Sequence, residues 1–357
     1  MRVYNFAAGP SQMFDEVLKQ AASEMTDYQG TGMGVVEMSH RSKPFQAIQD
    51  ETEALFRELL NIPEHYSVLF MTGGGSTQFD AVPLNLMVKG KADYLDTGNF
   101  ANKAMKAAMK YGEVRCVASS KESAYTYIPK VTKADFSLDA DYVHITSNNT
   151  IFGTRFKEFP DTPTPLVCDM SSEILSRRID VNKFGLIYAG AQKNISGAGL
   201  TIVIVKNDLL GTAKPYCPTM LNYKTFADNG SMYNTPPCYS IYLAMLTLRH
   251  LKKLGGVDAI NVINERKAKK LYDFIDGTDF YTNNVRREDR SIMNVPFVCA
   301  TPELDAKFVK EASENGLVSI KGHRLVGGMR ASIYNAMPEE GVDALIAFMK
   351  KFELQNS

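Results

Sequence analysis

The sequence predicts an α/β protein of two domains, a large one built on a mainly parallel, doubly wound sheet and a smaller C-terminal α/β one. Three observations carry that expectation. Short apolar runs alternate with segments of helical spacing, the pattern of successive strand–helix units. A glycine cluster separates one such run from the helix that follows it, as at a ligand-binding strand end. The chain has 357 residues, long for a single core, and its composition turns more charged after Gly255-Gly256. The divisions expected are an N-terminal segment over 1–15, a large domain over 16–255 and a small domain over 256–357.

In chain order, Asn5-Phe6-Ala7-Ala8-Gly9-Pro10 is an irregular start, and Phe14 to Met25 has helical spacing with apolar Val17, Leu18 and Ala21. Gly30-Thr31-Gly32-Met33-Gly34 breaks that helix and leads to Ser39-His40-Arg41-Ser42, a loop ahead of a helix over Phe45 to Leu60. Tyr66 to Met71 reads as a buried strand, Gly73-Gly74-Gly75-Ser76-Thr77 as a tight turn, and Gln78 onward as a helix that Pro83 must kink or shorten. A glycine turn between strand and helix exposes N–H groups at the positive end of the helix dipole, which suits a phosphate. The spacing matches neither the triphosphate nor the dinucleotide fingerprint.

Strand-like runs at Asp93-Tyr94-Leu95, Val114 to Val117 and Tyr142 to Ile145 alternate with helical patterns such as Ala101 to Tyr111, ended by Gly112. Ligands of such sheets bind at strand C-termini, where Phe100 and Thr150 fall; a core aromatic and a turn residue would look the same. Pro215 to Pro237 is too irregular for one regular element. A helix over Tyr239 to Leu254 follows, then a strand at Met293 to Val298 with an edge-type proline, and a helix from Asp305 to Ser313 ended by Gly316. Arg330 then sits in a strand, where a guanidinium needs an anionic partner and its planar fork suits a carboxylate.

The stretch with the most chemical content is Ile187-Tyr188-Ala189-Gly190-Ala191-Gln192-Lys193-Asn194, followed by Ile195-Ser196-Gly197-Ala198-Gly199 and an apolar run to Val205. Lys193 lies between two strand-like runs among small residues with no carboxylate nearby in sequence. Burial there lowers a lysine pKa and frees the neutral amine, as Schiff-base formation requires. A lysine in a surface hairpin would look the same from this segment alone. Asp169, at the end of Pro165-Leu166-Val167-Cys168, adds an acid at a strand end. Pyridoxal phosphate chemistry asks for that pair, a lysine for the aldehyde and a carboxylate for the pyridinium nitrogen.

Asp169-Met170-Ser171-Ser172, Ala189 to Asn194, Asn234-Thr235-Pro236-Pro237 and Gly327-Gly328-Met329-Arg330-Ala331-Ser332, taken together and in order, resemble the phosphoserine aminotransferase family. The similarity runs over essentially the whole chain. It implies a fold-type-I pyridoxal 5'-phosphate enzyme in which Lys193 is both Schiff-base residue and acid/base, and Asp169 holds the ring nitrogen. It further implies that Gly75, Ser76, Phe100, Thr150, Gln192, Asn234 and Thr235 bind the cofactor. His40, Arg41, His323 and Arg330 would bind the substrate, with Arg330 on the α-carboxylate and His323 near the phosphate. Asn234 and Thr235 are implied to reach the partner subunit's cofactor across a homodimer interface. The implied reaction converts 3-phosphohydroxypyruvate and glutamate to O-phosphoserine and 2-oxoglutarate in serine synthesis. A related phosphohydroxythreonine reaction serves vitamin B6 synthesis. Three positions depart from relatives: Ala8 where several have serine, Ser76 where some have arginine, and Phe100 where many have tryptophan, a residue this chain lacks altogether.

Composition narrows the partners. Lys+Arg and Asp+Glu both count 40, so no global field recruits nucleic acid or an anionic membrane, and small anionic substrates must be met by local clusters. Five cysteines without a C-x-x-C pair, three of them in apolar runs as expected core residues, point to a reduced, cytoplasmic protein. No stretch approaches the ~18 apolar residues of a membrane span, and the five histidines have no metal-ligand spacing, so no metal is expected. Two rivals stand beside this reading. One is a class V relative on an unphosphorylated substrate, such as a serine-type aminotransferase or a cysteine desulfurase, although none of the cysteines lies in a glycine-rich loop near the lysine. The other is a catalytically silent binding protein, which the joint presence of Lys193, Asp169 and Arg330 disfavours.

Overall fold

The computed structural model describes residues 2–356. A short strand, β1 (Tyr4–Asn5), leads to α1 (Asp15–Ser23), whose Val17 and Ala21 are buried one turn apart. α2 (Lys43–Leu60) begins at Ser42, whose Oγ accepts the Phe45 N–H at 3.4 Å, and ends at Asn61 in the left-handed conformation. The strand β2 (Tyr66–Met71) feeds α3 (Gly74–Leu86) directly through Gly73. Pro83 lies inside α3, which stops one turn later, so the expected shortening takes the form of an early end.

β3 (Lys91–Asp96), α4 (Asn99–Ala108), β4 (Glu113–Ser119) and β5 (Tyr142–Thr146) follow, then a small hairpin of β6 (Asn148–Asn149) and β7 (Thr154–Arg155). β8 (Leu166–Asp169), β9 (Leu186–Gly190) and β10 (Thr201–Lys206) complete the main sheet, whose order is β2-β10-β9-β8-β5-β3-β4. All of its strands are parallel except β10, which is antiparallel to both β2 and β9.

Alternation along the strands covers both faces of this sheet. Val68, Phe70, Ile187, Ile202 and Ile204 pack with Phe45, Ile48 and Phe56 of α2 on one side. Leu69, Met71, Leu186, Val203 and Val205 pack with Phe79 and Val82 of α3 and Ala104 of α4 on the other. Each fully buried side chain of this size contributes about 1.5–3 kcal/mol, so the apolar runs read as strands are also the source of cohesion. Cys168 is buried here, but Cys116, expected in the core, is exposed because β4 is an edge strand with one open flank.

The irregular stretch after β10 contains a short helix, α5 (Tyr223–Asp228), before α6 (Cys238–Lys253). α7 (Gly256–Asp276) bridges two cores: Val257 and Ile260 join the first, and Leu271 and Ile275 join another built from β11 (Asn294–Phe297), α8 (Pro302–Glu314), β12 (Leu317–Val318), β13 (Met329–Ser332) and α9 (Glu339–Asn356). β11 and β13 are antiparallel, and β12 takes β1 as a parallel partner, so Phe6 of the N-terminal segment is also part of the second core. Among the described residues no helix is long and apolar enough to cross a membrane, and no group of three or more His, Cys, Asp or Glu is placed to hold a metal ion.

Candidate active site

At the C-terminal ends of the parallel strands lies a cavity of about 230 Å³. Its walls come from the start of α3 (Gly75, Ser76), the start of α4 (Phe100), β6 and the turn after it (Asn148, Thr150), the end of β8 (Asp169), the β9–β10 loop (Gln192, Lys193) and the β12–β13 region (His323, Arg330). Strand ends are where a parallel sheet leaves its connections free to carry polar groups while the strands themselves stay buried.

The ten-residue β9–β10 loop joins two neighbouring strands of the sheet and is pinned at several points. The Ala191 N–H donates to Leu200 O at 2.9 Å and the Lys193 N–H to Ala191 O at 2.8 Å. Ser11 holds the loop from outside, its Oγ donating to Lys193 O at 2.6 Å. Gly9 lies against Lys193 with φ +144°, a left-handed value, and a Cβ there would stand 3.4 Å from the Cγ atoms of both Gln192 and Lys193.

Lys193 Nζ donates to Thr150 Oγ1 at 3.0 Å and sits 5.7 Å from the centre of the Phe100 ring. Burial lowers its pKa to about 8, with the charge of Arg330 acting the same way and that of Asp169 opposing. Asp169 is buried at the facing wall. Burial raises its pKa against the attraction of Lys193 and a 2.9 Å bond from the Ser171 N–H to Oδ1. An amine able to lose its proton therefore faces a carboxyl group held by a backbone donor.

Gly75, in the first turn of α3, meets the same wall: a Cβ there would stand 3.0 Å from Ser171 Oγ and 3.9 Å from Asp169 Oδ2. Any side chain at this point would close the cradle of N–H groups at the helix start, which glycine keeps open to an anion.

Arg330 projects from β13. Burial lowers its pKa, and its Nε is buried with no hydrogen-bond partner. A guanidinium in this state has donors to offer a ligand carboxylate. His323 has its pKa lowered by burial, then by the nearby charges of Arg330, Arg324 and Lys103.

Nine residues expected from the sequence thus converge on one cavity: Gly75, Ser76, Phe100, Thr150, Asp169, Gln192, Lys193, His323 and Arg330. Four do not line it in the single chain. Arg41, Asn234 and Thr235 are exposed, and His40 is half-buried with its Nε2 enclosed and without a partner. Lining residues that sequence reasoning passed over include Phe79, Thr146, Asn148, Ser171 and Ser172. The two serines lie in the Asp169-Met170-Ser171-Ser172 motif. Asn148 reads as an ordinary turn residue because its contacts come from distant parts of the chain.

Residues 3–345 match the family Aminotransferase class-V. A phosphoserine aminotransferase from Bacillus thuringiensis is 54% identical over 357 residues, 99% of either chain, and one from Nitrosomonas europaea is 53% identical over 362 residues, covering 99% of this chain and 98% of that one. The solved structure of the phosphoserine aminotransferase of Bacillus circulans subsp. alkalophilus superposes with a TM-score of 0.97 at 45% identity, over 100% of this chain and 99% of that one. The pyridoxal-phosphate-bound phosphoserine aminotransferase of Trichomonas vaginalis gives a TM-score of 0.93 at 40% identity, covering 98% of this chain and 100% of that one.

Proposed function

The chain belongs to the class-V aminotransferase family, and from that premise we infer how its cavity serves the reaction of a phosphoserine aminotransferase. It is a pyridoxal-phosphate-dependent aminotransferase. The amino group of L-glutamate passes to 3-phosphohydroxypyruvate, giving 2-oxoglutarate and O-phospho-L-serine, a step of serine biosynthesis. The observation that carries the residue assignments is the meeting of a depressed lysine, a buried carboxyl group and an arginine with an unpartnered Nε in one cavity.

These residues fit the cofactor. Lys193 would hold its aldehyde, Asp169 its ring nitrogen and the N–H groups at Gly75 and Ser76 its phosphate, while Phe100, Thr150 and Gln192 would complete the pocket. Pyridoxal phosphate, when bound, supplies the carbonyl and the electron sink of transamination. Lys193 Nζ takes the proton from the substrate Cα, and its lowered pKa keeps the free amine accessible near neutral pH. Arg330 orients the substrate by its α-carboxylate, and His323 attracts the distal anion with support from neighbouring cations. Ser171 fixes the Asp169 carboxyl group through the 2.9 Å bond to Oδ1.

The proposal extends to a homodimer. Arg41, Asn234 and Thr235 are exposed outside the cavity lining, and Met33, Val36, Tyr216 and Tyr233 are exposed apolar residues of the same two segments. A second copy covering these segments would bring Asn234 and Thr235 to the partner's cofactor phosphate and His40 and Arg41 to the substrate. The division at 255/256, use of phosphohydroxythreonine in pyridoxine biosynthesis and a cytoplasmic location belong to the same proposal. Two apolar cores support a division into two units, although Val257 and Ile260 at the start of α7 pack with the first core, and five free cysteines support the last. The test is amino-donor specificity. Phosphoserine should be used with far higher kcat/KM than serine, because removing the phosphate leaves cations unmatched. Equal efficiency would point instead to a serine-type aminotransferase.

A further inference from the structure

Arg330 and the Lys193–Asp169 wall belong to different packing units, so something must fix the distance between them. Asn294, in β11, is fully buried and stands opposite Ser332 in β13, two residues from Arg330. Residues two apart on a strand share a face, so Arg330 and Ser332 project to the same side. The Asn294 side-chain amide is spent on joining the two walls. Its Nδ2 donates to Ser332 Oγ at 3.0 Å and to Tyr334 Oη at 3.1 Å, and its Oδ1 accepts from Asn148 Nδ2 at 2.8 Å.

Both ends of this bridge reach the cavity. Asn148 lines it and donates at 2.8 Å to Ser172 Oγ, which itself donates at 2.8 Å to Asn148 O, so the wall that follows Asp169 is tied to the same amide. The Tyr334 hydroxyl donates at 2.9 Å to the carbonyl of Ala8, another cavity residue. Asn148, Ser172, Asn294, Ser332 and Tyr334 are all buried. In so dry a place each bond is geometrically demanding and costly to leave unmade.

We propose that Asn294 is a positioning residue for amino transfer: its amide sets the separation between the Arg330 guanidinium and the wall that carries Lys193 and Asp169, and so fixes where the substrate α-carboxylate stands. This rests on Arg330 as the carboxylate clamp. A displacement on the scale of one bond length is enough to spoil the approach of Cα to Lys193 Nζ, since misplacement of about 1 Å can cost about a hundredfold in rate.

The test is a double-mutant cycle on the holoenzyme with Asn294→Ala and Arg330→Ala, reading kcat/KM for glutamate and for phosphoserine together with retention of the cofactor's visible absorbance. Asn294→Ala should lower kcat/KM for both substrates by about tenfold to a hundredfold with the cofactor still bound. In the Arg330→Ala background the same change should cost less than about twofold, because a residue acting through Arg330 has nothing left to position. Ser332→Ala, which removes one acceptor of the same amide, carries the cycle if Asn294→Ala does not fold. Additive losses would overturn the inference while leaving the clamp intact. An Arg330→Ala enzyme with unchanged glutamate kinetics would overturn the clamp, and this inference with it.

Discussion

Replacing Arg330 by methionine should make the enzyme worse and the substrate-free protein more stable. The guanidinium is largely buried, its Nε has no partner, and its pKa is lowered by burial. The free protein therefore carries the cost of desolvating a cation whose Nε finds no partner within the chain. Methionine keeps the aliphatic stem and removes the charge. Two forked bonds to a carboxylate, each charge-assisted and contributing ~1.5–3 kcal/mol, amount to about 3–6 kcal/mol, or two to four decades in kcat/KM for glutamate. The gain in stability should be about 1–2 kcal/mol, the lower part of the range found when apolar groups replace buried charged ones, because the group keeps some solvent. Steady-state kinetics with glutamate and phosphoserine, and calorimetry of the substrate-free holoenzyme, measure the two quantities. A lower melting temperature would show that partners within the chain already satisfy Arg330. Glutamate efficiency kept within a few-fold would show that the carboxylate binds elsewhere. Either result refutes the reasoning.

Lys193 should capture added pyridoxal phosphate in the cofactor-free protein at a rate that rises with pH around a midpoint near 8, followed by visible absorbance; a midpoint at the ordinary lysine value of 10.5 would contradict its burial. Lys193→Ala should abolish borohydride-trappable cofactor and turnover, while Asp169→Asn should lower kcat more than cofactor affinity. Lys267 is buried with its pKa lowered to about 7 from 10.5, and its Nζ donates to Ile333 O, Tyr334 O and Met337 O at 3.2, 2.8 and 2.9 Å. Its folded pKa lies below its unfolded one, so between those values the unfolded chain holds the extra proton. The stability of the parent relative to Lys267→Met should therefore climb with pH through that window, at most by about 1.4 kcal/mol per unit. Chemical denaturation across pH checks this, and a falling difference would contradict it. Mixing Lys193→Ala subunits with Asn234→Ala/Thr235→Ala subunits should restore activity, because one site of each mixed dimer escapes both lesions. Mixed dimers that form and stay inactive would refute shared sites.

How much of this was legible follows from the range of each contact. Lys193, Asp169 and the Gly75 turn were readable because each sits where a local pattern changes, at a strand end or a strand–helix junction. Ser171 and Asn148 carry no such mark: their roles come from bonds to Asp169, Ser172 and Asn294. The insertion of β10 between β2 and β9 was likewise invisible, since apolar alternation tells which face a residue takes and not which strand lies beside it. Cys116 misled because an apolar run looks the same on an edge strand as on a central one. His40, Arg41, Asn234 and Thr235 rest on resemblance alone, and a single chain leaves them off the cavity.

The reversed strand β10 also governs when the main sheet can be completed during synthesis. β2 leaves the ribosome early, yet its neighbour in the main sheet is β10, which is made after every other strand of that sheet. At about 5–20 residues per second, β2 waits on the order of ten seconds with its sheet-pairing groups unmatched. The segment over 74–76, which lines the cavity, follows β2 directly, so Asp169 is made before that segment's strand has its neighbour in the sheet. The main sheet is thus complete only once Lys206 has emerged, and a ribosome stalled before that point carries β2 without its neighbour.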